Sequence, residues 1–132
     1  MNPTLNTIDI VVSDIDASIG FYARLGLDFK IDDYSPEHAG CDLPNGLHMM
    51  LDTEGFRTPF LPGWSRPSGG PRTLLCFQFE TPAGVDAKYA ELVAAGYRGI
   101  AEPFDAFWGM RYATVADPDG CGVDLYAALP SS

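Results

Sequence analysis

An internal repeat constrains this chain more than any other feature. Setting Val12 on Phe79 also sets Tyr22 on Tyr89 and Leu25 on Leu92, all with one offset, so two copies of one supersecondary unit follow each other. At 132 residues the chain supports one domain, 1–132, with module 1 at 1–53, a linker at 54–71 and module 2 at 72–132.

Each copy reads as βαβββ. Leu5 to Ser13 is rich in β-branched residues, as a strand requires. Asp14 or Asp16 then caps a helix whose apolar positions Ile19, Tyr22 and Leu25 recur at helical spacing, with Gly26 suited to its C-terminal end. Leu27 to Asp33, Glu37 to Leu43 and Gly46 to Thr53 read as three strands, the last two joined at Pro44-Asn45-Gly46. Glu54 to Pro71 holds four prolines and four glycines, a composition that predicts no regular structure, and it carries Phe56, Phe60 and Trp64. In the second copy Arg72 to Glu80 is a strand, and Thr81-Pro82 opens a helix about one turn longer than the first, with Val85, Tyr89 and Leu92 on one face and Gly96 at its end. Three strands follow at Arg98 to Ala101, Gly109 to Ala116 and Cys121 to Ala127. The last two close around the turn Asp117-Pro118-Asp119-Gly120.

The expected fold class is α+β, two βαβββ modules forming a curved mixed-sheet cleft. Alternation along the strands points Ile8, Ile10, Val12, Leu47, Met49, Leu51, Leu75, Phe77, Phe79, Val123 and Leu125 towards the helices. Thr7, Asp9, His48, Met50, Asp52, Leu74, Cys76, Gln78, Met110, Tyr112, Gly122, Asp124 and Tyr126 then line the cleft.

Composition narrows the partners. Asp and Glu outnumber Lys and Arg by 18 to 8, a formal charge of −10 that argues against binding nucleic acid or an anionic membrane. The N-terminal stretch has neither a basic nor an apolar signal region, so a cytoplasmic location is expected. Cys41, Cys76 and Cys121 lack CxxC spacing and read as small apolar strand residues.

The run VVSDIDASIGFYARLGL and the ending FWGMRYATVADPDGCGVDLY together resemble the vicinal oxygen chelate superfamily (glyoxalase, bleomycin resistance protein, dioxygenase) over nearly the whole chain. The ending is most similar to the bleomycin-resistance-type drug-binding branch. In metal-dependent members a His in each first strand and a Glu in each fourth strand hold the ion. By the resemblance those positions fall here on Thr7, Leu74, Met50 and Asp124. Only Asp124 is a strong metal ligand, so no metal, no cofactor and no catalytic residue are expected at this site. A shifted site using His48, Asp52 and Asp124 is the alternative, while His38, beside a turn, is expected to be exposed.

The remaining resource of such a cleft is aromatic surface with carboxylates, which suits a hydrophobic, planar and cationic molecule. The candidate ligand-binding residues are Asp9, His48, Met50, Asp52, Phe56, Trp64, Trp108, Tyr112 and Asp124. Each has a plainer reading: Trp108 either plugs a module end or stacks on a ligand, and Asp124 either faces the ligand or bonds to Arg111 or a neighbouring strand. The resemblance implies a homodimer. The expected function is non-catalytic sequestration of a small molecule such as an antibiotic, the alternative being a glyoxalase-like lyase, isomerase or dioxygenase with a rearranged metal site.

Overall fold

The β-branched segment after Asn6 forms β1 (Thr7–Val12), and the chain turns at once into α1 (Ile15–Ala23). A computed structural model describes residues 2–131. Of the two candidate caps Asp14 is the one used: its side chain accepts a hydrogen bond from the Ala17 amide and satisfies an otherwise unpaired donor of the first turn. The helix ends where Gly26 takes φ +85° and the Leu27 amide reaches back to the Tyr22 carbonyl.

Three strands complete the first module, β2 (Lys30–Asp32), β3 (Ser35–Asp42) and β4 (His48–Thr53). The order is β1-β4-β3-β2, with β1 and β4 parallel across the α1 crossover and the other pairs antiparallel. Residues up to Arg66 group with this module, and those from Pro67 onward form the second compact unit. In the second, β5 (Leu75–Gln78), α3 (Pro82–Ala94), β6 (Gly99–Asp105), β7 (Met110–Ala116) and β8 (Gly122–Ala128) repeat the arrangement in the order β5-β8-β7-β6. Thr81 caps α3, Pro82 fills its first turn and Gly96, at φ +100°, releases the chain. With 13 residues against nine, α3 has the extra turn expected of it.

Each helix covers one face of its own sheet. Met49 and Leu51 on β4, and Val123 and Leu125 on β8, are buried as alternation required. Each fully buried apolar side chain contributes roughly 1.5–3 kcal/mol. Ile8, Ile10, Leu75, Phe77 and Phe79 are only half-buried, because β1 and β5 are outer strands with one ladder neighbour each.

Three expectations need correction. The buried stripe of α1 is Ile15, Ser18, Phe21 and Tyr22, rotated from the predicted Ile19, Tyr22 and Leu25, and Phe21 is held edge-on against Tyr22 at 4.9 Å. The segment after Thr53 is not irregular throughout: Thr53 caps a short helix, α2 (Glu54–Arg57), and a 3-10 turn follows at Thr58–Phe60. The Thr53 hydroxyl accepts from the Phe56 amide and donates to Glu37, so one side chain starts the turn and ties it to β3. His38 is buried rather than exposed, because register sets it opposite Asp52 on β4 and the rings of Tyr34 and Phe56 pack against it.

Candidate functional site

The sheet face opposite α1 in the first module brings together Asp9, His38, Asp42, His48 and Asp52. Strand register places Thr7, Asp9 and Val11 beside His48, Met50 and Asp52, and those beside Asp42, Gly40 and His38. Two clusters result. At one end His48 Nδ1 contacts Asp42 at 2.7 Å, and the His48 ring lies over Gly40, where an added Cβ would meet it at 3.1 Å. His48, Met50, Gly40, Asp42, Tyr34 and His38 line an open groove of about 550 Å³, with Lys30, Asp28, Asp32 and Cys41 around them.

At the other end His38 Nδ1 contacts the buried Asp52 carboxylate and Nε2 faces Asp32 at 3.1 Å. Only an imidazolium donates through both nitrogens; a neutral ring serves one carboxylate and turns a lone pair to the other, unless that carboxyl is protonated. The ring stacks on Tyr34 at 5.6 Å and is flanked by Phe56 at 6.0 Å. Asp9 lies beside Asp52 and 3.4 Å from Arg57 Nε on α2. Burial, and then the neighbouring Asp52 carboxyl, push Asp9 up to about 7, against the opposing pull of Arg57 and His38.

The corresponding face of the second module is aromatic. The turn between β6 and β7 closes with the Ala106 amide on the Met110 carbonyl and Gly109 at φ +87°, and Trp108 lies in this turn just before β7. Trp108, Tyr112 and Tyr126 follow one another with ring centroids 5.4 and 6.1 Å apart, and with Met110 and Cys76 they line a pocket of about 250 Å³. Beneath them Asp124 is buried and accepts hydrogen bonds from the Tyr112 hydroxyl at 2.6 Å and the Thr114 hydroxyl at 2.7 Å. Arg111 pairs instead with Asp86 and Asp105. Bonding to Asp124 and burial raise the Tyr112 phenol above its usual value, and burial with the Asp124 charge raises the Cys76 thiol.

Of the sequence candidates, His48 and Met50 share the groove, Asp9 and Asp52 share the buried cluster with Phe56 on its flank, and Trp108 and Tyr112 share the aromatic pocket, with Asp124 bonded to Tyr112 but not lining it. Trp64 lines neither pocket; its amide bonds to the Leu61 carbonyl. Sequence reasoning missed His38, Tyr34 and Arg57. The repeat held a signal for the first: the displacement that sets Met50 on Asp124 sets His38 on Tyr112 and Asp52 on Tyr126.

The four positions that correspond to the family's metal ligands do not form a donor set. Leu74 and Met50 supply no hard donor, Thr7 supplies a hydroxyl, and both oxygens of Asp124 already accept hydroxyl protons. Among the described residues no three His, Cys, Asp or Glu side chains are grouped so as to hold a metal ion, and no helix is long and apolar enough to cross a membrane.

A family profile described as the glyoxalase/bleomycin resistance protein/dioxygenase superfamily matches residues 4–125. A glyoxalase/bleomycin resistance protein/dioxygenase family enzyme from Burkholderia phytofirmans is 25% identical, with a TM-score of 0.82 over 96% of this chain and 100% of that one. A protein of Agrobacterium tumefaciens is 27% identical, with a TM-score of 0.74 over 98% of this chain and 100% of its own. A glyoxalase/bleomycin resistance protein/dioxygenase from Nocardioides is 24% identical, with a TM-score of 0.78 over 100% of this chain and 87% of its own. No curated protein matches the sequence. With the profile spanning both βαβββ modules, the chain belongs to the glyoxalase/bleomycin resistance protein/dioxygenase superfamily.

Proposed function

We propose that this protein binds and sequesters a flat, hydrophobic aromatic compound such as an antibiotic, without turning it over, in the manner of the bleomycin-resistance-type branch. The observation that carries this reading is the state of Asp124. It alone among the four matched positions is a strong metal ligand, and its oxygens are bonded to Tyr112 and Thr114 beneath an aromatic pocket. That carboxylate positions rings and has no oxygen free of hydrogen bonds.

The pocket floor and walls offer π-faces, a thioether and a thiol, which favour a planar ring through area burial and stacking. Trp108, about half exposed, stands at the rim as the residue that would close on it. Sequestration requires affinity and abundance only, so a missing donor set at the matched positions does not impair it. A cytoplasmic homodimer without nucleic-acid or membrane partners belongs to the same proposal.

Titration with a panel of planar antibiotics, followed by tryptophan fluorescence, tests it: saturable quenching is expected, and no response across the panel overturns it. Metal analysis of protein purified without chelator addresses the lyase, isomerase or dioxygenase alternative. Stoichiometric metal lost in both Asp124→Ala and His48→Ala would replace the binding reading with that one.

A further inference from the structure

Buried polar side chains among the described residues are almost all hydrogen-bonded, and the exceptions lie together. Among the described residues, the buried side-chain nitrogen and oxygen atoms without a hydrogen-bond partner are both carboxylate oxygens of Asp9 and Nε of Arg57. Arg57 Nε and the Asp9 carboxyl lie 3.4 Å apart, yet they are not aligned to bond. A proton shared with Asp52 satisfies one Asp9 oxygen at most. Leaving buried acceptors unpaired costs about 1–3 kcal/mol each, and more for a charged group. In native folds such groups are few, and each calls for a reason, a functional role or a bound species among them.

We propose that the Asp9–Asp52 end of the first sheet is a subsite for a planar amidinium or guanidinium group, which Arg57 fills imperfectly from within and which a ligand takes by displacing it. Three features define the chemistry. Asp9 supplies two buried oxygens that Arg57 does not hydrogen-bond, and the adjoining Asp52, which His38 contacts, places a second carboxyl beside them. Tyr34, His38 and Phe56 form a layered wall of rings beside it, against which a planar delocalised cation packs better than an ammonium. Arg57 is the last residue of a four-residue helix held at its start by Thr53, so its side chain can turn aside without breaking a strand ladder.

The inference deepens the proposed binding role by giving the first module its own ligand chemistry, and it rests on that role only for its biological purpose. Its test is calorimetric titration at pH 8 with benzamidine, a planar aromatic cation, against benzamide, its neutral isostere. Arg57→Ala is expected to bind benzamidine at least tenfold more tightly than the unaltered protein, with benzamide unchanged, and adding Asp9→Asn is expected to abolish the gain. Arg57→Met, which keeps the apolar stem over the sheet, serves if the alanine variant folds poorly. Equal gains for both probes, no gain in either variant, or a gain that survives Asp9→Asn overturns the proposal. Failure of antibiotics to quench tryptophan would count against the second-module pocket alone and leave this readout standing.

Discussion

The Tyr112 hydroxyl donates to Oδ2 of Asp124 at 2.6 Å, and Thr114 donates to the other oxygen at 2.7 Å, so one residue of β8 holds two residues of β7. A hydrogen bond to a carboxylate contributes about 1.5–3 kcal/mol. Tyr112→Phe is therefore expected to lower stability by about 1–2 kcal/mol in urea denaturation, with the m-value unchanged. Because Asp124 holds the phenol above its ordinary value, Asp124→Asn should bring one tyrosine back into the normal alkaline titration range, as read by ultraviolet absorbance.

Trp108 and Trp64 give the ligand proposal an internal control. Trp108 borders the second-module pocket and is about half exposed, so Trp108→Ala should weaken an aromatic ligand about tenfold or more while changing stability by no more than about 0.5 kcal/mol. Trp64 lines neither pocket, and Trp64→Ala should leave affinity within about threefold, roughly 0.65 kcal/mol. Parallel titrations of the two variants check both statements. An effect of Trp64→Ala as large as that of Trp108→Ala would move the ligand out of the pocket described above.

The turn at Asp117 to Gly120 should be sensitive in a different way. Asp117 is buried and its Oδ1 accepts from the amides of Asp119 and Cys121, while Gly120 sits at φ +85°. Asp117→Ala leaves two amides short of an acceptor and is expected to cost about 1–3 kcal/mol. Gly120→Ala places a Cβ in the left-handed region and should cost about 1 kcal/mol. Thermal unfolding of both variants measures these losses, and a ligand-saturated sample should show the same ordering.

How much of this was legible beforehand depended on whether a residue's role was local or came from pairing. The repeat, both helices and their caps, and the alternation of Met49, Leu51, Val123 and Leu125 follow from short-range periodicity, which the sequence displays directly. His38 did not, because its burial depends on register with β4 and on the Phe56 ring that α2 brings against it. Arg57 was hidden for a related reason: a Pro- and Gly-rich composition predicts a loop, and it took the Thr53 cap to wind four residues into a helix above Asp9. Asp124 was visible as the isolated carboxylate of the last strand, but its two hydroxyl donors were not, since they arrive from a neighbouring strand.

Asp9 gives the molecule a pH dependence whose sign is opposite to that of an ordinary paired carboxylate. Its value is raised from 3.8 to about 7 in the folded protein, by burial first and the Asp52 carboxyl second. Between those limits the folded state holds a proton that the unfolded chain has released. Stability then falls as pH rises, because the unfolded state binds fewer protons. The contribution is complete below about pH 4 and is lost as pH passes through about 7. Asp9→Asn removes the ionisation while keeping a carboxamide of similar shape. The gap in unfolding free energy between the variant and the unaltered protein should therefore shift in favour of the variant between pH 4.5 and 8, by about 1–2 kcal/mol once relaxation of the neighbouring charges is allowed for. Urea unfolding at several pH values provides the measurement. A gap that stays constant across that range, or shifts the other way, would place Asp9 among ordinary ionised carboxylates and show that Arg57 neutralises it fully.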